Sequence, residues 1–275
     1  MMTKKIIVIT GASDGIGAAG ARALHALGHH VILVGRSAEK TKSIAGELKA
    51  PYFLADFADL DDVRSLANQL KEETPRIDVL ANNAGGIMGN RRVTVDGNEL
   101  TIQVNHLAPF LLTNLLLETL IGSRATVIAT SSLANRAAGT LDLNDLSLEH
   151  GYSPQSAYGK AKLMNILFSK ELHRRFHGNG IAAASFHPGI VRTGFAGEFR
   201  GPVSFAYTSL FKYLFRSPGE GADSLVWLAT SEPDRDWQSG EYFKNRRLSK
   251  ANKQAYRQDL ATQLWALSMK ATNRN

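Results

Sequence analysis

The segment IIVITGASDGIG, residues 6–17, contains the pattern from which the rest of the fold follows. Its first five residues are all β-branched, which predicts a short buried strand. The glycines that follow permit a tight turn, and the spacing of Ala21, Leu24 and Leu27 predicts a helix after them. Backbone amides at the start of such a helix favour an anion, so this order indicates a binding turn for a pyrophosphate. A plain turn between a strand and a helix is the alternative.

The same alternation of a short apolar run and a helical pattern continues along the chain. It predicts a mostly parallel sheet of seven strands with helices on both faces, which is a doubly wound α/β fold. The tail from Lys250 onward has helical spacing and is expected to pack against the sheet. The further predicted strands span residues 31–35, 52–55, 79–81, 126–130, 182–186 and 241–243.

No internal repeat, low-complexity tract or proline-rich linker divides the sequence, so one domain over residues 1–275 is predicted. Its parts are a nucleotide-binding core at about 4–192, a substrate flap at about 193–222 and a C-terminal strand and helix at about 223–275. The flap holds seven of the 22 Phe, Tyr and Trp residues, which favours a cover over a substrate site; core or subunit contacts are the alternative. The flap residues expected to face substrate are Phe195, Phe199 and Phe205.

Composition excludes several classes of protein. With 44% apolar and 21% charged residues the chain is neither disordered nor fibrous, and without cysteine it has no disulfide, thiolate metal site or thiol nucleophile. A cytoplasmic protein without a metal site is expected.

The longest apolar stretch, residues 107–121, is interrupted by Asn114 and Glu118, so no membrane span is predicted. The basic residues behind the net charge of +7 are dispersed, which disfavours nucleic acid and suits an anionic cofactor.

The end of the second predicted strand bears on the choice of nucleotide. Many NAD-binding folds place a carboxylate there for the ribose, whereas here Val34 is followed by Gly35 and Arg36. A guanidinium binds a 2′-phosphate through paired, charge-assisted hydrogen bonds. Arg36, helped by Lys40, therefore predicts NADP(H) as the preferred cofactor and NAD(H) as the second choice. A solvated surface arginine is the alternative.

Two further strand ends carry candidate cofactor contacts. Asp56 and Phe57 follow the third strand, where a carboxylate can accept from an adenine amino group, although Asp56 also suits a helix cap. Small residues at 82–85 end the fourth strand and let a cofactor pass near the backbone; turn chemistry alone is the alternative. The residues of these turns predicted to bind the cofactor are Gly11, Ser13, Asp14, Gly15, Ile16, Gly17, Arg36, Asp56, Phe57, Asn83, Ala84 and Gly85.

A proton-transfer pair is predicted on a later helix. Tyr158 and Lys162 are four residues apart, which places them on one helix face, one turn apart. The reference pKa of a phenol is about 10, and a neighbouring ammonium lowers it by favouring the phenolate. Tyr158 is then able to exchange a proton with a carbinol oxygen while a hydride moves. Taken alone, this spacing is common on helix surfaces.

Two upstream residues complete the predicted chemical group. Ser132, just beyond the fifth strand, is chosen over Ser131 as the hydroxyl that orients the substrate oxygen. Asn105 lies within a predicted helix at 98–120. Pro109 has no amide hydrogen for the Asn105 carbonyl, which is left free to hold a water in a proton chain. A proline kink without a chemical role is the alternative.

In combination and in order, these motifs resemble the short-chain dehydrogenase/reductase family over nearly the whole chain, which implies a single-domain Rossmann fold. The family motifs are the glycine turn at 10–17, the segment 82–85, Asn105, Ser132, the pair Tyr158 and Lys162, and the segment 188–193. The segments that resemble the retinol-dehydrogenase-like branch are 94–97, 105–107, 110–113, 187–193 and 240–243.

The resemblance implies a role for each chemical residue. Tyr158 is the catalytic acid/base, and Lys162 lowers its pKa and binds the nicotinamide ribose. Ser132 positions the carbonyl, and Asn105 holds the relay water. The residues expected beside the nicotinamide are Pro188, Gly189, Ile190 and Thr193.

Three departures from the family pattern qualify these expectations. Asp14 stands where NADP-specific members often carry a basic residue, so Arg36 carries most of the inference about the cofactor. The segment between Ser132 and Tyr158 is longer than in the simplest members, which supports the branch assignment. Membrane-bound retinol dehydrogenases have an apolar N-terminal anchor that this sequence lacks, which disfavours a retinoid as the natural substrate.

The sequence thus predicts an enzyme that transfers a hydride between NADP(H) and an apolar ketone or aldehyde, or the corresponding alcohol, with reduction as the preferred direction. A non-catalytic NADP(H)-binding sensor or partner protein is the main alternative, and the four chemical residues argue against it. The glycine turn together with Tyr158 and Lys162 disfavours a methyltransferase on the same sheet. A homodimer or homotetramer is left open.

Overall fold

The computed structural model describes residues 4–189 and 217–273, and an eight-stranded sheet runs through them. The strands are β1 (Ile6–Thr10), β2 (His30–Gly35), β3 (Tyr52–Leu54), β4 (Val79–Asn82), β5 (Thr126–Thr130), β6 (Ala182–His187), β7 (Tyr242–Lys244) and β8 (Arg247–Leu248). Their order is β3-β2-β1-β4-β5-β6-β7-β8, and all neighbours are parallel except β7 and β8. The predicted doubly wound, mostly parallel sheet is confirmed.

Strand β8 corrects the predicted number of strands from seven to eight. It has two residues, both exposed, so no apolar pattern marks it in the sequence. It returns antiparallel to β7 through Asn245 and Arg246, which have φ values of 53° and 58°. Two consecutive residues with positive φ are typical of a tight hairpin turn, but the sequence signal for that turn is usually a glycine, which is missing here.

Helices cover both faces of the sheet. They are α1 (Gly15–Ala26), α2 (Ala38–Leu48), α3 (Leu60–Glu73), α4 (Leu100–Ile102), α5 (Ala108–Leu115), α6 (Leu117–Gly122), α7 (Pro154–Phe176), α8 (Pro218–Thr230) and α9 (Gln258–Thr272). Short 3₁₀ segments lie at Leu133–Ala137, Leu143–Asp145, His177–Asn179 and Lys253–Tyr256. The buried side chains of α1, α2 and α8 pack on one face, and those of α3, α5 and part of α7 pack on the other.

Strand β1 shows how both faces are buried. Ile7 and Ile9 pack in one apolar cluster with Leu225 of α8, and Val8 packs in the opposite cluster with Leu66 of α3. All three β1 side chains are 0% exposed. Successive side chains of a strand point to opposite faces, so a continuous apolar run belongs in a sheet covered on both sides.

The strand order reverses direction at β1, which lies between β2 and β4. The chain builds outward from β1 to β3 and then continues from β4 on the other side. Connections that follow β1 and β4 therefore diverge and leave a crevice at their carboxyl ends, where doubly wound sheets bind ligands. Residues 11–17 and 83–86 follow these two strands.

The helix predicted over residues 98–120 is broken in the structure, because α4, a π-helical segment at Gln103–Leu107, α5 and α6 follow one another. Pro109 has no amide to continue the α-helical ladder. The amide of Ala108 bonds the Gln103 carbonyl five residues back, which is π-helical spacing. Asn105 lies inside this segment, and π-turns within helices are frequent at functional sites.

The last part of the predicted flap belongs to a helix. Ser217 and Glu220 form a capping box at the start of α8, and this helix packs against α1. Residues 218–222 are therefore helical, while the predicted flap residues Phe195, Phe199 and Phe205 lie outside the described part of the chain. The C-terminal helix α9 packs against α7. No helix in residues 4–189 or 217–273 is long and apolar enough to cross a membrane.

Two glycines on neighbouring helices give a matched test of this packing. A Cβ on Gly17 in α1 would overlap the carbonyl oxygen of Gly11, whereas a Cβ on Gly46 in α2 meets nothing within 4 Å. Gly17→Ala should lower the free energy of unfolding by at least about 2 kcal/mol through steric overlap, measured by urea denaturation. Gly46→Ala should raise it by about 0.5–1 kcal/mol, because alanine is the better helix former. Equal effects of the two substitutions would contradict the close approach at Gly17.

Candidate active site

A hydrogen-bond network joins the carboxyl ends of three central strands. The Thr10 hydroxyl at the end of β1 accepts from the amides of Asn83 and Ala84, both at 3.0 Å. The Asn83 side chain donates to the Thr10 carbonyl at 3.0 Å and accepts from the Thr130 hydroxyl at 3.2 Å. Asn83, predicted as a cofactor contact, therefore ties β1, β4 and β5 together at the crevice.

The glycine turn brings the backbone close to this network. Gly11 has a φ of 66° and lies against Ala84, where a Cβ would come within 2.8 Å of the Ala84 Cα. Asp14 caps α1 by accepting from the amide of Gly15 at 2.7 Å. The positive end of the α1 dipole therefore opens beside residues 83–85, as the predicted pyrophosphate site requires.

A cation pairs with the acidic residue in the glycine turn. Lys40 Nζ lies 2.9 Å from Asp14 Oδ2, and this contact is the largest cause of a lowered pKa for Asp14. Both side chains are about three-fifths exposed, so the pair is solvent-screened. Arg36 is exposed immediately after β2. Lys40, predicted from the sequence to help Arg36, therefore also offsets the charge of Asp14.

Asp56 lies in a turn after β3. Its Oδ1 accepts from the amide of Ala58 at 3.0 Å, and its own amide donates to Asp62 Oδ2 at 3.0 Å. Phe57, the other predicted contact here, is buried. The turn thus uses one carboxylate oxygen of Asp56, whereas the residue that caps α3 is Asp59, so the alternative role of Asp56 as a helix cap is wrong.

Lys162 is buried at the floor of the site. Its side chain is 2% exposed, and Nζ donates to the Thr130 carbonyl at 3.1 Å. Burial lowers the pKa of Lys162 to about 7. A Cβ on Gly85 would lie 3.3 Å from Lys162 Nζ and would overlap Asn105 Oδ1. Only a glycine fits between the lysine and the asparagine, so the end of β4 brings the two predicted residues together.

Tyr158 and Ser132 are in contact beside Lys162. Lys162 Nζ lies 5.3 Å from the centroid of the Tyr158 ring. Burial raises the pKa of Tyr158, and a hydrogen bond from the Ser132 side chain acts in the opposite direction. The lowered pKa expected from the sequence is therefore wrong for the described structure, because desolvation of the phenolate outweighs its stabilisation. The predicted choice of Ser132 agrees with this contact, since Ser131 instead donates to the Lys162 carbonyl at 2.7 Å.

Asn105 is fully buried, and its side chain is occupied by backbone partners. Oδ1 accepts from the Gly86 amide at 3.1 Å, while Nδ2 donates to the carbonyls of Gly86 at 2.9 Å and Thr101 at 2.8 Å. The side chain therefore holds the turn after β4 in place. The main-chain carbonyl is the group that Pro109 cannot bond, so it is the part of Asn105 suited to a water.

The segment after β6 completes the far side of the crevice. Pro188 is buried, and Gly189 has a φ of 93°, which favours glycine at the turn. His187 Nδ1 accepts from the amide of Leu133 at 3.3 Å and links this segment to the residue after Ser132. Ile190 and Thr193, the other predicted contacts here, lie outside the described residues.

Two buried asparagines near the site were missed by the sequence reasoning. Asn135 donates to the Ser132 carbonyl at 2.5 Å and accepts from the Asn252 amide at 2.8 Å. Asn165 donates to the Thr130 carbonyl at 3.1 Å, beside Lys162. Asn165 carried a usable signal, because asparagine is a poor helix former and it follows Lys162 by three residues on the same helix face.

Known proteins resemble this chain over most of its length. The family model described as short chain dehydrogenase matches residues 5–202. A Streptomyces protein assigned as the daunorubicin C-13 ketoreductase DnrU is 43% identical over 97% of this chain and 92% of its own length. Human retinol dehydrogenase 13 is 37% identical over 96% of this chain and 83% of its own length.

Solved structures share the fold. A protein from Mycobacterium paratuberculosis is 30% identical and superposes with a TM-score of 0.80, covering 100% of this chain and 96% of its own. The RhlG/NADP active-site complex from Pseudomonas aeruginosa is 26% identical with a TM-score of 0.69, covering 86% of this chain and 93% of its own.

Burial of Lys162 makes a prediction about stability. Its pKa is about 7 in the folded protein and about 10.4 in an unfolded chain, so the unfolded state binds the proton more tightly between these values. The stability of the native protein therefore rises with pH through this window. Lys162→Met removes the buried charge and should raise the free energy of unfolding by on the order of a few kcal/mol below pH 7. This gain should shrink towards pH 10.

Urea denaturation at pH 6, 8 and 10 measures the effect. Lys160→Met, two residues earlier on α7 at a partly exposed position, is the control and should show little pH-dependent gain. A gain for Lys162→Met that stays constant over the three pH values would contradict a lowered pKa for the buried lysine.

Proposed function

The chain belongs to the short-chain dehydrogenase family and is an NAD(P)-dependent oxidoreductase acting on CH–OH or C=O groups, and we propose that it reduces apolar ketones or aldehydes with NADPH. The observation that carries the proposal is the contact of Tyr158 with Ser132 beside the buried Lys162, at the carboxyl ends of the central strands. A protein that only binds the nucleotide has no need of a buried phenol in contact with a serine hydroxyl and beside a buried amine. The enzymatic function is therefore favoured over a sensor.

The crevice suits a dinucleotide along its whole length. In this proposal the turn at residues 11–17 binds the pyrophosphate at the N-terminus of α1, where the close backbone approach at Gly11 leaves no room for a larger residue. Residues 83–85 line the middle, and Gly189 lies on the nicotinamide side. The bound cofactor supplies the hydride, and the residues of this chain supply the proton.

Arg36 supports the preference for NADP(H). It follows β2, the position at which doubly wound folds recognise the ribose 2′ substituent. Asp14 would repel a 2′-phosphate, but its contact with Lys40 offsets that charge. The exposed guanidinium of Arg36 can then bind the phosphate without repulsion from an unpaired carboxylate at Asp14.

Tyr158 performs the proton transfer in the proposed reduction. While a bound nicotinamide cofactor would supply the hydride to the carbonyl carbon, the Tyr158 hydroxyl would donate its proton to the carbonyl oxygen, which gives the alcohol. Ser132 donates a hydrogen bond to the same oxygen and stabilises its developing negative charge. Protonated Lys162 favours the phenolate that Tyr158 leaves, and the Asn105 carbonyl holds a water through which the proton is replaced.

Support for an apolar substrate comes from the relatives and from the sequence. The Streptomyces relative is named for a daunorubicin ketone, and others are named as retinol and polyprenol dehydrogenases; retinol and polyprenol are long, mostly apolar alcohols. The predicted flap at 193–222 is rich in aromatic residues suited to such a molecule. Reduction is proposed as the main direction.

The chemical role of Tyr158 is tested by Tyr158→Phe. Loss of the proton donor should lower kcat for ketone reduction by about 10²–10⁴-fold, while the Kd for NADPH stays within about twofold, since only the hydroxyl is lost. Absorbance at the NADPH band and fluorescence titration measure the two quantities. Tyr256→Phe, which changes a tyrosine that is 57% exposed, is the control and should keep native kcat. Undiminished turnover in Tyr158→Phe would remove the proposed mechanism.

The cofactor preference is tested by Arg36→Leu. Loss of a charge-assisted contact to the 2′-phosphate should lower kcat/KM for NADPH at least about 10-fold, with little change for NADH. Arg22→Leu is the control, because it removes the same charge from an exposed arginine on α1 that pairs with Glu47 on α2. It measures the loss caused by weaker general attraction of the anion. Equal losses for the two cofactors in Arg36→Leu would rule out 2′-phosphate recognition by this residue.

A further inference from the structure

A buried histidine lies next to Asn105 in the π-helical segment. His106 is 1% exposed, and its two ring nitrogens contact different helices. Nδ1 lies 3.4 Å from Asn165 Oδ1 on α7, and Nε2 lies 2.9 Å from Ser268 Oγ on the C-terminal helix α9. The rings of Phe110 and Phe168 lie 6.0 and 6.4 Å from the imidazole. His106 is thus a polar link between three helices inside an apolar cluster.

The neighbours of the imidazole determine its tautomer. Asn165 Nδ2 donates to the Thr130 carbonyl, so Asn165 Oδ1 is the atom that faces His106. An amide oxygen only accepts, and His106 Nδ1 must therefore carry the proton. Nε2 is then the acceptor for the Ser268 hydroxyl. Burial lowers the pKa of His106 to about 4, which keeps the ring neutral near pH 7.

The contacts of His106 extend to the Thr130 carbonyl, which binds Lys162. The Thr130 carbonyl accepts from both Asn165 Nδ2 and Lys162 Nζ, each at 3.1 Å. A chain of direct contacts therefore runs from Ser268 through His106 and Asn165 to the carbonyl that holds the lysine. Asn105 is the residue before His106, so the same imidazole also fixes the π-helical segment that carries the proposed relay group.

We propose that His106 is a positioning residue for the reaction: through its Nδ1 proton it holds Asn165, and thereby Thr130 and Lys162, in the arrangement used for proton transfer. The contact with Ser268 secures the ring but is not needed for that arrangement. The effect of His106 on turnover rests on the proposed function, whereas its tautomer and its effect on cofactor binding do not.

The tautomer is tested first, without turnover. Ring ¹⁵N NMR of the full chain with labelled histidine distinguishes a protonated from an unprotonated nitrogen, and the signal that disappears in His106→Asn identifies His106 among the eight histidines. The expected result between pH 6 and 8 is a neutral ring protonated at Nδ1. A ring protonated at Nε2, or a charged ring, would overturn the proposal.

Two matched variants then test the contacts of His106 with Asn165 and with Ser268 separately. The side-chain nitrogen of asparagine stands at the position of histidine Nδ1, and that of glutamine stands at the position of Nε2. His106→Asn keeps the donor to Asn165, so kcat and the Kd for NADPH should stay within about threefold of native. His106→Gln keeps a contact to Ser268, with the amide now donating to the hydroxyl oxygen, but loses the donor to Asn165, and kcat should fall roughly 10-fold, because small misplacements of catalytic groups are costly. The KM for the ketone should stay unchanged in both.

Each variant gives up one of two buried hydrogen bonds, so similar melting temperatures are expected. If kcat in the two variants fell in parallel with stability, His106 would be structural only and the proposal would fail. If neither variant folds, Asn165→Ala interrupts the same link and should show the 10-fold loss of kcat; native kcat in Asn165→Ala would overturn the proposal. If the native protein reduces no carbonyl, the proposed function fails, and the role of His106 is decided by the NMR result and by the Kd for NADPH, which should rise more than about threefold in His106→Gln and not in His106→Asn; an equal Kd in the two variants would overturn the proposal.

Discussion

The buried hydrogen bond between Lys162 Nζ and the carbonyl at the end of β5 is the interaction on which the rest of the site depends. Burial removes water from the Lys162 amine and so disfavours its charged form, which lowers its pKa to about 7. The lysine fixes α7 against the carboxyl end of the central sheet, and α7 brings Tyr158 to the same place. Gly85 leaves room for the lysine beside Asn105, so the chemical residues from three parts of the chain meet around one buried amine.

The opposite half of the crevice is built on neutral hydrogen bonds. Thr10 and Asn83 hold the ends of β1 and β4 together, and Thr130 joins both ends of the site, because its hydroxyl binds Asn83 while its carbonyl binds Lys162. The glycine turn and the chemical residues are therefore parts of one network. A rigid network of this kind keeps groups that transfer a hydride and a proton at fixed separations, which is the main requirement for rapid transfer between them.

The sequence predicted those features that depend on local pattern. Strand β1, its glycine turn, and the contact of Tyr158 with Lys162 follow from β-branched runs and from helical spacing. The features that it missed depend on contacts between distant residues. The amide of Asn252 binds Asn135 117 residues away, and Ser268 binds His106 162 residues away. The π-helical turn before Pro109, the two-residue strand β8 and the raised pKa of Tyr158 likewise follow from hydrogen bonding and burial that periodicity does not encode.

In the function proposed for this chain, the site moves a hydride from NADPH to a carbonyl carbon. The most direct measurement is mass spectrometry of the alcohol formed from an apolar ketone and NADPH deuterated at C4, with the two C4 deuterio epimers used in turn. We expect one deuterium on the carbinol carbon with one epimer and none with the other, because a fixed site presents one face of the nicotinamide. Tight binding of NADPH without label transfer to any ketone or aldehyde of a broad apolar panel would contradict it.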